Sequence, residues 1–142
     1  MISEQTDPIL EETLFLLKNH DTAVCSGLCT LKRLLHKRIS GDSNGDASKI
    51  NFKQIESRRE ERTVQELREL QRANPKAHDR ISDIVKDDAK AAINPIVIVR
   101  CNDEDWLIDG SNRINYWYGQ GDKTKKLLIN HHMLINFQIA VS

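Results

Sequence analysis

The sequence predicts an α+β fold, a small mixed sheet with helices, preceded by an N-terminal helical hairpin. Three observations carry that prediction. Pro95-Ile96-Val97-Ile98-Val99 is a β-branched apolar run, and Trp106-Leu107-Ile108 follows it across a polar turn, as two buried paired strands do. Four earlier segments repeat apolar residues at helical spacing. Finally, Asp109-Gly110-Ser111 leads directly from a strand into a helix. At 142 residues the chain is the size of one ordinary domain with a short appendage.

The first helix starts at Asp7-Pro8, where Asp can cap free amides and Pro has no N–H to leave unpaired. Ile9, Leu10, Leu14 and Leu17 form its apolar side. A second helix is expected over residues 22–39, with Val24, Leu28, Leu31 and Leu35 at helical spacing and His36, Lys37 and Arg38 in the last turn. Residues 1–40 thus read as a helical hairpin. Residues 41–49, rich in Gly and Ser, read as a flexible linker, and residues 50–142 as the α+β domain.

Within that domain, residues 50–55 are expected as a short first strand. Arg58, Arg59 and Arg62 are interleaved with Glu56, Glu60 and Glu61, which points to ion pairs along a helical face. Thr63-Val64-Gln65-Glu66 is a capping-box pattern opening a helix to about Ala73, and Pro75 closes it. Residues 79–92 read as another helix. The strands at 95–99 and 106–108 flank the turn Asn102-Asp103-Glu104-Asp105. A helix from Ser111 to about Tyr118 is stopped by Gly119-Gln120-Gly121. Residues 127–130 and 135–141 are expected as later strands.

Composition excludes several functions. Twenty-one Lys and Arg balance 21 Asp and Glu, which argues against attachment to nucleic acid or a membrane by bulk positive charge. No apolar run reaches the roughly 20 residues that span a bilayer, and Glu4 and Asp7 stand where a secretory leader is basic and apolar. Three cysteines are too few for a disulfide scaffold. The expectation is a cytoplasmic protein without a membrane partner.

The chemistry concentrates in Asn94–Gly121. A strand running through Asp109-Gly110 into a helix points unpaired amides, and the positive end of a dipole, at whatever lies beyond the turn. Gly110 permits close backbone approach, Ser111 and Asn112 add neutral hydrogen bonds, and Arg113 can fork two bonds onto a phosphate. The same residues also fit a plain helix start, with Asp109 or Ser111 as cap and Arg113 paired to Asp109.

This stretch resembles the ParB/sulfiredoxin-like superfamily. Asn94–Val99 is similar to that family's "qPivV" strand. Leu107-Ile108-Asp109-Gly110 with Arg113-Ile114 is similar to its second strand and its "yliDG-H-R" turn. The resemblance extends in element order over residues 50–142. It implies a site for a nucleotide (CTP, ATP or ADP) with magnesium, or for another phosphorylated small molecule. It also implies a DNA-associated bacterial, plasmid or phage context. Were there turnover, it would be nucleotide hydrolysis or phosphoryl transfer with Asp109 as the catalytic carboxylate. The departures are specific. Ser111 stands where sulfiredoxin has its reactive Cys, so thiol chemistry of that type is not expected, and Asn112 stands where the family has His. In the family's arrangement the segment of Arg58 and Arg62 approaches the nucleotide, and Trp117 and Lys123 fall close enough in sequence to add a stacking face and a phosphate contact.

Other candidates are weaker. Cys25, Cys29 and His36 share a helix side but border an apolar stripe, so core packing is expected and no metal site is assigned. His131 and His132 face opposite ways in a strand and cannot chelate together; a solvated loop or rim is expected for them. The rival to a ligand-binding reading is a catalytically inactive ParB-like module that meets a protein partner, or a second copy, through the hairpin at 1–40.

Overall fold

A computed structural model describes residues 7–18, 31–35, 55–73, 94–101 and 103–134. Three helices and four strands are complete within them: α1 (Pro8–Leu17), β1 (Ile55–Thr63), α2 (Val64–Ala73), β2 (Ile96–Cys101), β3 (Glu104–Asp109), α3 (Ser111–Gly119) and β4 (Lys126–Leu134). Residues 31–35 are also helical. The expected helix at 79–92, the strand at 135–141, the linker, and Cys25, Cys29 and His36 lie outside the described residues.

The strands form one mixed sheet in the order β1-β4-β2-β3. β1 and β4 run antiparallel from Ile55↔Leu134 to Thr63↔Lys126. β2 is parallel to β4 and antiparallel to β3. The fold is therefore α+β with helices on both faces of the sheet. Alternation along β2 divides the core, because successive side chains leave a strand on opposite sides. Val97, Val99 and Cys101, with Trp106 and Ile108 from β3, pack under Leu17, Leu31 and Leu35, with Leu10 and Leu14 alongside. Ile96 and Ile98, with Leu107 and Ile129, pack under Leu67 of α2 and Ile114 of α3. The described part of the N-terminal preface thus shares a core with the sheet.

Local signals explain most of the elements. Asp7 caps α1, its Oδ1 accepting from the Ile9 amide at 2.9 Å. Thr63 and Glu66 make the anticipated box: the Thr63 amide donates to Glu66 Oε1 at 2.9 Å and the Glu66 amide to Thr63 Oγ1 at 3.1 Å. These bonds hold the Glu66 carboxyl below its usual range. Gly121, at φ 78°, closes α3 with its amide on the Tyr118 carbonyl.

One element reads differently from the expectation. The charged run Arg58–Arg62 is part of strand β1, not of a helix; of the strand expected over residues 50–55, residues 50–54 lie outside the described residues. The residues of β1 alternate between the two faces, so Arg59 and Ser57 look toward α1 while Arg58, Glu60 and Arg62 share the other side. Charge patterning does not distinguish these cases, since the run offers opposite charges both at i,i+2 for a strand (Arg58/Glu60, Glu60/Arg62) and at i,i+3 for a helix (Glu56/Arg59, Arg58/Glu61).

Candidate functional site

The turn from β3 into α3 is built around Gly110. Its backbone sits at φ 122°, ψ 8°, and an added Cβ would lie 3.0 Å from the Ile96 Cγ1 and Cδ1 atoms. Only glycine combines that torsion with that proximity. The helix then starts without a side-chain cap. The first helical amide to close is Ile114 onto the Gly110 carbonyl at 3.1 Å, so the amides of Ser111, Asn112 and Arg113 have no intrahelical acceptor.

Arg113 lies across the turn, its side chain 11% exposed. NH2 is 3.2 Å from Asp109 Oδ2, one helical turn back, and NH1 donates to the Asn94 carbonyl. Burial pushes the guanidinium below its ordinary range, and the Asp109 carboxylate opposes that shift. The pairing of Arg113 with Asp109, one of the two readings open at the sequence level, is the contact present. It joins the end of β3, the start of α3 and the approach to β2.

Behind the turn, α2 packs on α3 through polar groups. Arg68 NH1 donates to Gln71 Oε1 and Asn115 Oδ1, both at 2.8 Å, and Gln71 Nε2 reaches the Ser111 carbonyl at 3.4 Å. The Arg68 guanidinium also lies over the Tyr118 ring at 4.8 Å.

The remaining predicted residues lie elsewhere. Trp117 and Lys123 are at the far end of α3, roughly 9 Å or more along the axis from Ser111 at 1.5 Å per residue. There Lys125 covers Trp117 at 4.4 Å and Lys123 lies over Tyr118 at 5.4 Å. Of the aromatics near the turn, Trp106 is in the core, while Tyr116, Trp117 and Tyr118 are half-buried. Arg58 and Arg62 both bond Glu60, at 3.1 and 2.8 Å, and Arg62 reaches Asp105 at 3.2 Å. The structure does not bring Arg58, Arg62, Trp117 and Lys123 together at the Gly110 turn.

The histidine pair also differs from expectation. His131 and His132 are fully buried in β4, not on a rim. They face opposite sides, as strand geometry requires. His131 Nδ1 is 3.3 Å from Glu60 Oε1, and Nε2 is 3.0 Å from Asp105 Oδ1. Arg100 and Arg62 close the cluster around Asp105. Burial alone would raise the Asp105 carboxyl, but His131, Arg100 and Arg62 hold it well below the usual range. On the other face, His132 Nε2 is 2.7 Å from Thr13 Oγ1 and Nδ1 is 2.6 Å from Ser57 Oγ. Sequence reasoning missed both clusters because their members are up to 119 residues apart. The available signal was two histidines inside an otherwise apolar strand.

Cys101 is buried, and its thiol is pushed up to about 12, chiefly by burial, so it is unreactive. No group of three His, Cys, Asp or Glu among the described residues is arranged to hold a metal ion. No helix among them is long and apolar enough to cross a membrane. No family model matches the chain, and no curated protein or solved structure matches it either.

Proposed function

We propose that the chain is a ParB/sulfiredoxin-like domain that binds a nucleotide, or another phosphate-bearing ligand, at the turn from β3 into α3. The observation that carries this reading is that α3 starts on Gly110, which has no side chain to close over the first amides. Three successive amides lack an intrahelical acceptor at the positive end of the helix, beside a glycine that lets an oxyanion approach the backbone. A phosphate there would accept from the Ser111, Asn112 and Arg113 amides. Arg113, already oriented by Asp109 and the Asn94 carbonyl, adds positive charge.

Magnesium fits only as a companion of the ligand. Asp109 is the one carboxylate in the turn, and its Oδ2 lies against Arg113. A metal arriving with nucleotide phosphates needs one or two carboxylates rather than a protein cage, and its role would be to share the phosphate charge. With Ser111 in place of a cysteine, binding or phosphoryl chemistry is favoured over thiol chemistry. A DNA-linked process is the setting that the family resemblance suggests.

Titration calorimetry of the full chain against CTP, ATP, ADP and inorganic phosphate, each with and without magnesium, tests the reading. Saturable binding by at least one nucleotide, weakened by Gly110→Ala, is expected. Lack of heat with all four ligands would remove the proposal.

A further inference from the structure

The polar contacts between α1 and the sheet form a continuous chain that ends on His132. Arg59 Nε, which can only donate, bonds Asn130 Oδ1 at 3.2 Å. The Asn130 amide nitrogen therefore faces Glu12 Oε1 at 2.9 Å and Thr13 Oγ1 at 3.1 Å; the flipped amide would set oxygen against carboxylate and N–H against N–H. Arg59 also pairs directly with Glu12. Thr13 Oγ1 accepts from Asn130 and lies 2.7 Å from His132 Nε2. On the other side of the ring, Nδ1 is 2.6 Å from Ser57 Oγ. Both ring nitrogens thus meet hydroxyls, one from α1 and one from β1, and a neutral imidazole satisfies them with one nitrogen donating and the other accepting.

Protonation makes both ring nitrogens donors and places a charge in a fully buried site where the two partners are neutral hydroxyls. The surroundings give the charge little compensation. From α1 the charged groups are Asp7 and Glu12, from β1 Arg59, and from residues 31–35 Lys32 and Arg33. β2 presents Val99 at the His132 position, and His131, next along β4, points to the opposite face. Glu12 is already paired with Arg59 and Asn130.

We infer that the contact between α1 and the sheet is a proton-sensitive latch: α1 docks while His132 is neutral and releases in mild acid, removing Leu10, Leu14 and Leu17 from the apolar face that they cover together with Leu31 and Leu35. Burial, with a smaller opposing pull from Asp7, holds the His132 ring down to about 4, against 6.5 when free. The folded value lies below the free one, so docking is complete above pH 6.5 and weakens as pH falls toward 4. The loss is about tenfold per pH unit for a single proton. Release is local because the Ile96, Ile98, Leu107 and Ile129 core lies on the other face.

Two measurements on the full chain test this. Ring nitrogen chemical shifts at pH 7.5 should show His132 as a neutral imidazole; an imidazolium at that pH would overturn the latch. Amide exchange, followed from pH 7 to 4.5 and corrected for intrinsic rates, should show α1 losing at least tenfold protection while β2 and β4 keep theirs. His132→Gln should flatten that dependence. Should the variant fail to fold, the native chain still decides the matter. Loss of protection in α1 and sheet together, or unchanged protection of α1 at pH 4.5, would overturn the inference.

Discussion

Gly110 and Arg113 are the residues on which the turn from β3 into α3 is built. Gly110→Ala forces an L side chain to φ 122° and sets its Cβ within 3.0 Å of Ile96, so a loss of about 2 kcal/mol or more is expected. Thermal unfolding measures it. A double-mutant cycle with Ile96→Ala, which removes all three crowding atoms, should recover the part due to crowding and leave the torsional part. Arg113→Lys keeps the charge but not the planar fork that spans Asp109 and the Asn94 carbonyl. A stability loss of about 1–3 kcal/mol is expected from the broken contacts of this mostly buried group. If the turn also holds a phosphate, affinity should fall by roughly tenfold or more for each charge-assisted bond lost. Stability loss with unchanged nucleotide affinity would place Arg113 in the framework alone.

At the scale of elements, boundaries follow local chemistry where a cap or a glycine marks them. Thr63→Ala removes the acceptor for the Glu66 amide and should cost about 1 kcal/mol, read as a drop in the urea midpoint with unchanged m value. β1 illustrates the opposite case. Its sequence, IESRREERT, has little of a strand's usual composition, yet it pairs with β4 over nine residues. Arg59 and Arg62 find partners there that lie 47 and 43 residues away, Glu12 and Asp105. A charged outer strand also discourages edge-to-edge association.

For the whole molecule, the consequence is that the N-terminal segment is structural. A chain beginning at Lys49 lacks Leu10, Leu14, Leu17, Leu31 and Leu35, and so exposes Val97, Val99, Trp106 and Ile108. Self-association on size exclusion with light scattering, or a clear drop in melting temperature, is expected. A monomer of unchanged stability would show that residues 1–48 add nothing to the core. Acid should act in two stages. The His132 contribution is lost from pH 6.5 downward. The contributions of Asp105 and Glu60, whose folded values are depressed below 3.8 and 4.5, persist above those values and are lost only at lower pH. Separate transitions in a pH series of unfolding free energies would display the two stages.

What depends on neighbours along the chain was legible in the sequence: the Asp7 and Thr63 helix starts, the β-branched strand at 96–99, and the glycine turn from β3 into α3. Each rests on torsional preference or on a hydrogen bond spanning a few residues, so a short window contains the cause. Tertiary structure alone decided that Arg58–Arg62 is a strand, that His131 and His132 are buried, and that Arg113 lies on Asp109 and the Asn94 carbonyl. The first two depend on partners brought close by sheet order, and the third on how β2 and α3 meet. Burial and long-range pairing carry those energies, and no local pattern records which distant carboxylate, hydroxyl or strand will be there to receive a given side chain.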